Sequence, residues 1–215
     1  MYADTEKTFE TAKEIREDTT MKTDIVLCGV GGQGILSIAT VIGEAAMKEQ
    51  LYIKQAEVHG MSQRGGDVQS NLRISSLPIN SDLIGMGQAD VIISMEPMEA
   101  LRYLPYLNKN GWIITSSAPF VNIPDYPESD KLKRDYAMLD NVVTLDIEAM
   151  AKDNGIPRSA NMILLGAAQK ALGIEYAKLE DAVRSVFGRK GETVVEANLK
   201  AMAIGREAVL NNTVK

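Results

Sequence analysis

Two short runs concentrate the residues able to do chemistry: Gly29-Val-Gly-Gly-Gln-Gly34, and then Glu57-Val-His-Gly-Met-Ser-Gln-Arg-Gly-Gly66, which holds the single histidine of the chain, His59. Glycines, lacking a Cβ atom, let a backbone turn sharply and bring its N–H groups close to a ligand. The first run follows an apolar stretch, Asp24-Ile-Val-Leu-Cys28, and precedes residues 35–49, whose apolar positions recur at helical spacing. A strand, a glycine turn and a helix in that order make a cradle for anions, because the positive end of the helix faces the turn. Gly29, Gly31, Gly32, Gln33 and Gly34 are therefore candidate ligand-binding residues, joined by Gln63, Gly65 and Gly66 of the second run.

Two side chains in the second run are candidates for catalysis. His59 has an imidazole whose unperturbed pKa of about 6.5 suits proton transfer near neutrality. No carboxylate or nucleophile stands beside it in sequence, so a histidine that ties its own loop is the other reading. Arg64, between Gln63 and Gly65, can present a guanidinium to a phosphate or carboxylate with two parallel hydrogen bonds; an ion pair within or between subunits is its alternative. Gly29-x-Gly31-x-x-Gly34 also satisfies the dinucleotide fingerprint, with Glu57 as the ribose-binding acid. Gln33 beside the last glycine, and the unusual continuation of the second strand, argue for a different ligand or a partner edge over NAD or FAD. A purely structural tight turn is the third reading.

Composition excludes a good deal. With one cysteine and one histidine, the chain can ligate neither an iron–sulfur cluster nor a structural zinc by itself, and no metal site is expected. Cys28, ending an apolar strand, reads as a small core residue. The formal net charge of −6 gives no basic footprint for nucleic acid or for a membrane surface. No segment approaches the roughly 18 apolar residues of a membrane span, and the amino terminus has no signal pattern. A cytoplasmic location is the expectation.

The elements that must position these groups alternate between strand and helix. After the first strand and helix, residues 51–58 read as a second strand. Residues 67–75 alternate, with Val68, Leu72 and Ile74 on one face and Gln69, Asn71 and Arg73 on the other, as in a half-exposed strand. Residues 90–95 form a continuous apolar run typical of a central strand. Pro97 opens a helix expected to reach Leu107, and Trp112 to Thr115 and Asn141 to Asp146 read as further strands. Residues 116–130, with Pro119, Pro124 and Pro127, form the longest irregular stretch, and such loops often reach toward a site.

Helical patterns then fill residues 147–153, 159–172, 179–187 and 193–209. The expected architecture is a three-layer α/β/α domain with a mostly parallel mixed sheet and a helical C-terminal cap. It spans residues 21–215 and follows a charged extension, residues 1–20, read as a solvated tail or a partner-binding helix. Met95, Met98, Met150, Met162 and Met202 read as packing. Ser159 is a candidate helix N-cap; Arg158 and Asn161 serve capping and packing or face the ligand edge. Glu96 is a site candidate at a strand end or a cap on the helix after Pro97.

The two glycine runs together, continued by Glu96-Pro-Met-Glu-Ala-Leu-Arg-Tyr-Leu-Pro-Tyr-Leu107 and Pro157-Arg-Ser-Ala-Asn-Met162, resemble the gamma-type module of the 2-oxoacid:ferredoxin oxidoreductases, most closely the indolepyruvate branch. The resemblance covers roughly residues 21–210. It implies an enzyme subunit that is inactive alone. Thiamine diphosphate and iron–sulfur clusters would lie in a larger alpha subunit, ferredoxin would be reached through the complex, and coenzyme A would be the cosubstrate. In that setting the two loops would face the alpha subunit and close its pocket, with His59 and Arg64 as the catalytic candidates and the glycine corners as the cofactor-binding ones. A free-standing NAD- or FAD-binding dehydrogenase and a non-catalytic scaffold are the competing readings.

Overall fold

A computed structural model describes residues 20–59, 66–121 and 123–211, with the backbone alone for His59. Six strands form one mixed sheet in the order β2-β3-β1-β4-β5-β6: β1 (Lys22–Val30), β2 (Tyr52–His59), β3 (Asp67–Ser75), β4 (Ala89–Ser94), β5 (Leu107–Ser116) and β6 (Val142–Leu145). Strands β1, β4, β5 and β6 run parallel to one another. Strand β3 is antiparallel to both β1 and β2. Ile25, Val26, Leu27 and Cys28 of β1 are fully buried, as a strand flanked on both edges and covered on both faces requires.

Helices lie on both faces, giving the three expected layers. Helix α1 (Ile35–Lys48), α4 (Ile147–Asp153), α5 (Ala160–Leu172), α6 (Tyr176–Phe187) and α7 (Glu192–Asn211) cover one face. Their apolar stripes meet Ile25, Leu27, Leu72, Ile74, Val91, Ile93 and Ile114 in the larger core. Helix α2 (Pro97–Arg102) and α3 (Ser129–Ala137) lie on the other, over a smaller core that includes Val26, Cys28, Ile92 and Ile113. The carboxy-terminal helices interlock closely: a Cβ built on Gly166 of α5 would stand 1.9 Å from the Met202 carbonyl oxygen of α7, and one on Gly205 1.8 Å from that of Ile163. At the far end of the sheet, Arg73 grips the buried Asp24 carboxylate through Nε at 2.7 Å and Nη2 at 3.0 Å.

Four expectations need correction. The helix opened by Pro97 ends at Arg102 rather than Leu107. Pro105 has no N–H to give and crowds the carbonyl four residues back, so the chain tightens into a 3-10 turn over Leu104–Tyr106. Strand β5 begins at Leu107, five residues before the apolar run, and its pairing with β4 is irregular between Ala89 and Val91; the polar Asn108-Lys-Asn110 conceals it. Helix α3 starts within the expected irregular stretch and buries Leu132 alone, so it offers no apolar stripe to find. Ser159 does stand before α5, inside a 3-10 turn, but its side chain makes no capping bond.

Candidate functional site

The chain leaves β1 toward β2 and leaves β4 toward β5, so the sheet reverses its winding between β1 and β4. Ligands on open α/β sheets collect in the crevice beyond the carboxyl ends of the strands at such a point. The first glycine run occupies it. Gln33 staples the place together: its Oε1 accepts from Val30 N–H at 2.7 Å, and its Nε2 donates to the Met95 carbonyl at 3.2 Å, joining the turn after β1 to the end of β4. Gly34 then sits at φ 86° as the N-cap of α1, without a side-chain cap and with no acidic residue in the first turn. That leaves the positive helix end open to an anion.

The second run arrives at the same rim. Gly31 N–H donates to the Gly66 carbonyl at 2.9 Å, where the chain re-enters the sheet at Asp67, opposite Val30. Arg64, Gln63 and Gly65 lie outside the described residues, as does the His59 side chain.

Beside this rim lies a cavity of about 700 Å³, within the usual size of a small-molecule site, lined by Gly31 to Gly34, Ser37, Met95, Ser116, Pro119, Phe120, Glu148, Arg158 and Asn161. Gly32, at φ 101°, has nothing within 4 Å of where a Cβ would stand, so backbone at this corner is open to a ligand. Asn161 Nδ2 donates to the Gly34 carbonyl at 3.1 Å. A neighbouring hollow of about 460 Å³ shares Ser37, Pro157, Arg158 and Asn161 with it and adds Lys190. Arg158, exposed at the junction of the two, brings positive charge to both.

The candidates thus divide. Gly31, Gly32, Gln33 and Gly34 line the cavity. Gly29 lies beneath it, buried in β1, where a Cβ would meet Gln33 Oε1 at 2.9 Å; it makes room for the staple. Gly66 holds the turn from outside. Arg158 and Asn161, which the sequence left between packing and the ligand edge, both line the cavity; their spacing of three at a helix start was the available signal, since such residues share a face. Glu96 is fully buried and caps α2, accepting Glu99 N–H at 2.8 Å. Burial pushes the Cys28 thiol far above its usual range, despite a hydrogen bond with Ser94, which makes it an inert core residue. Among the described residues no group of three or more His, Cys, Asp or Glu could hold a metal ion, and no helix is long and apolar enough to cross a membrane.

The dinucleotide reading fails on topology. Its fingerprint needs the acidic residue on a strand next to the glycine turn. Here β3 is inserted between β1 and β2, so Glu57 stands two strand spacings away, about 9.5 Å.

Comparison with known proteins gives the family of the chain. Residues 24–208 match the family described as pyruvate ferredoxin/flavodoxin oxidoreductase. The chain is 35% identical to indolepyruvate oxidoreductase subunit IorB of Archaeoglobus fulgidus, over 86% of this chain and 94% of that one. It is 34% identical to the same subunit of Pyrococcus horikoshii, over 86% and 95%. Among solved structures, the gamma subunit of a keto/oxoacid ferredoxin oxidoreductase from Geobacter sulfurreducens superposes with a TM-score of 0.64 at 26% identity, over 88% of this chain and 99% of that one. The 2-oxoglutarate:ferredoxin oxidoreductase of Magnetococcus marinus shares the fold, with a TM-score of 0.71 at 21% identity over 90% of this chain, which corresponds to 32% of that longer one. The chain belongs to the pyruvate ferredoxin/flavodoxin oxidoreductase family, as a small subunit of the 2-oxoacid oxidoreductase kind.

Proposed function

We propose that residues 21–215 form the part of an indolepyruvate-type ferredoxin oxidoreductase that completes the active site of a larger subunit and holds coenzyme A beside it, while residues 1–20 are an extension. The carrying observation is the Gly31–Gly66 hydrogen bond of 2.9 Å, which makes one rim of two glycine runs next to a cavity of about 700 Å³. The residues present suit a long anionic thiol carrier. Open backbone at Gly32, the uncapped start of α1 and the Arg158 guanidinium serve phosphates. Ser37 and Asn161 serve amides, and Met95, Pro119 and Phe120 supply apolar walls.

Thiamine diphosphate and the iron–sulfur clusters belong, in this reading, to the larger subunit, and a chain with one cysteine has no ligand set for a cluster. When bound there, they supply decarboxylation of the 2-oxoacid and electron transfer to ferredoxin. The contribution of this chain is to bind, orient and exclude water. Arg64 would add positive potential for a pyrophosphate or carboxylate, and His59 a proton-transfer group at the same rim. The assembly is soluble and cytoplasmic and involves no nucleic acid.

Reconstitution tests this. The purified chain alone gives no oxidative decarboxylation of indolepyruvate; with the larger subunit, turnover depends on coenzyme A. Arg64→Ala in that complex raises the KM for oxoacid or coenzyme A while the chain stays folded. Turnover by the chain alone, or unchanged constants in the variant, contradicts the assignment.

A further inference from the structure

The segment after β5, residues 117–121 and 123–128, contains no helix or strand; its Ala118, Pro119 and Phe120 form a wall of the cavity, and it is tied to one buried carboxylate. Glu96 follows β4 and the wall follows β5, two adjacent parallel strands in which Ser94 pairs with Thr115. Oε2 of Glu96 accepts from Glu99 N–H at 2.8 Å, while Oε1 accepts from Phe120 N–H at 3.3 Å and from the Tyr126 hydroxyl. The Glu96 backbone is held in turn by Ser94, whose Oγ donates to the Glu96 carbonyl at 2.6 Å and accepts its N–H at 3.2 Å.

Glu96 is wholly buried. A buried carboxylate is tolerated only while donors satisfy it, and here two of its three described donors belong to the wall. The wall therefore cannot swing outward without leaving that charge short of donors. Burial, and then the Glu96 carboxylate, push the Tyr126 phenol well above its usual range, so its hydroxyl keeps its proton to donate.

The position of the wall also matters geometrically. Ser116 and Pro119 line both the 700 Å³ cavity and a second one of about 410 Å³ on the opposite side, bounded by Pro97, Leu132 and Tyr136. Pro119 of the segment thus faces both spaces, and the position of the segment bears on the room in each. Its outer tip, Phe120, Val121 and Ile123, is exposed.

We propose that Glu96 and Tyr126 form a latch that holds this segment in place and so act as positioning residues for the ligand of the larger cavity. The identity of that ligand as coenzyme A rests on the function proposed above. Glu96→Ala would also uncap α2 and risks the fold, so the test uses Tyr126→Phe, which removes one hydroxyl. In the reconstituted two-subunit enzyme, losing one hydrogen bond to a charged group is expected to raise the KM for coenzyme A about three- to tenfold, with kcat and the oxoacid KM unchanged. Hydrogen exchange at the Phe120 amide, measured in the same complex, should quicken by about tenfold or more as the wall is released.

Unchanged exchange at Phe120 overturns the latch. So does faster exchange with an unaltered KM, because the wall would then move without consequence for the ligand. Arg158→Ala separates the two readings. A normal coenzyme A KM in Arg158→Ala overturns the ligand assignment; a raised KM there with a normal one in Tyr126→Phe overturns the latch alone.

Discussion

Gly31 donates its backbone N–H to the carbonyl of Gly66 across 2.9 Å, closing the first glycine turn against the exit of the second run. The bond places two separate stretches of sequence at one corner of the sheet, at the point where its winding reverses. Backbone groups used in this way are insensitive to side-chain identity, but they demand that the chain reach the corner without steric obstruction. Glycine at both ends meets that demand.

Gly34→Ala should be the most damaging single change in the turn. At φ 86° an L side chain is strained, and the added Cβ would stand 2.7 Å from Asn161 Nδ2. The expected loss of stability is about 1–3 kcal/mol, measured by denaturant unfolding. Displacement of Asn161 should also raise the coenzyme A KM in the assembled enzyme. A variant with full stability would mean that the turn relaxes to accommodate the methyl group.

Gly166→Ala tests the carboxy-terminal layer. Its Cβ would come within 1.9 Å of the Met202 carbonyl oxygen, a backbone atom that can move only if α5 and α7 separate. Overpacking of that kind should cost about 3 kcal/mol or more, lowering Tm by about 6–12 °C for a chain of this size. Thermal unfolding reads this directly, and a Tm within a degree of the parent would refute the close crossing.

Much of this fold was legible in the sequence, for reasons that differ by element. Strand β1 announces itself because burial on both faces forces a continuous apolar run, and helix α1 because burial of one face forces a helical period, as in Ile35, Ile38, Ala39 and Ile42. Helix α3 was not legible, because it buries one side chain and a polar helix carries no stripe. The start of β5 was hidden by Asn108-Lys-Asn110, two of which are exposed. At the site, the glycine corners were visible as residue types that few other roles require. Gln33 was noticed as a departure from the dinucleotide pattern, but its bond to Met95 depends on a strand far along the chain. Arg158 and Asn161 were ambiguous for the same reason, since only the fold brings the start of α5 to the turn.

Glu99 gives a pH-dependent prediction. It is buried, and its Oε2 lies 3.0 Å from Arg102 Nε without a hydrogen bond of acceptable angle. Burial raises its pKa, the Arg102 charge opposing this and the neighbouring Glu96 adding to it. An acid whose folded pKa is raised binds its proton more tightly in the folded state. Stability contributed by this group is therefore greatest at low pH and falls as pH rises from the unfolded value of about 4.3. Glu99→Gln should raise Tm at pH 7, and the gain should vanish below about pH 4. A gain of equal size at both pH values would assign it to packing instead.

The function proposed for this crevice is to hold coenzyme A for a reaction whose other groups lie in the larger subunit. Arg158 is the side chain that tests it best, because it is exposed where the two hollows meet and makes no hydrogen bond or ion pair among the described residues. The decisive measurement is the KM for coenzyme A of the reconstituted enzyme carrying Arg158→Ala. Loss of a charge-assisted contact to a phosphate predicts a rise of about tenfold or more, with the oxoacid KM and Tm unchanged. A coenzyme A KM equal to that of the parent enzyme would overturn the assignment of this crevice to coenzyme A.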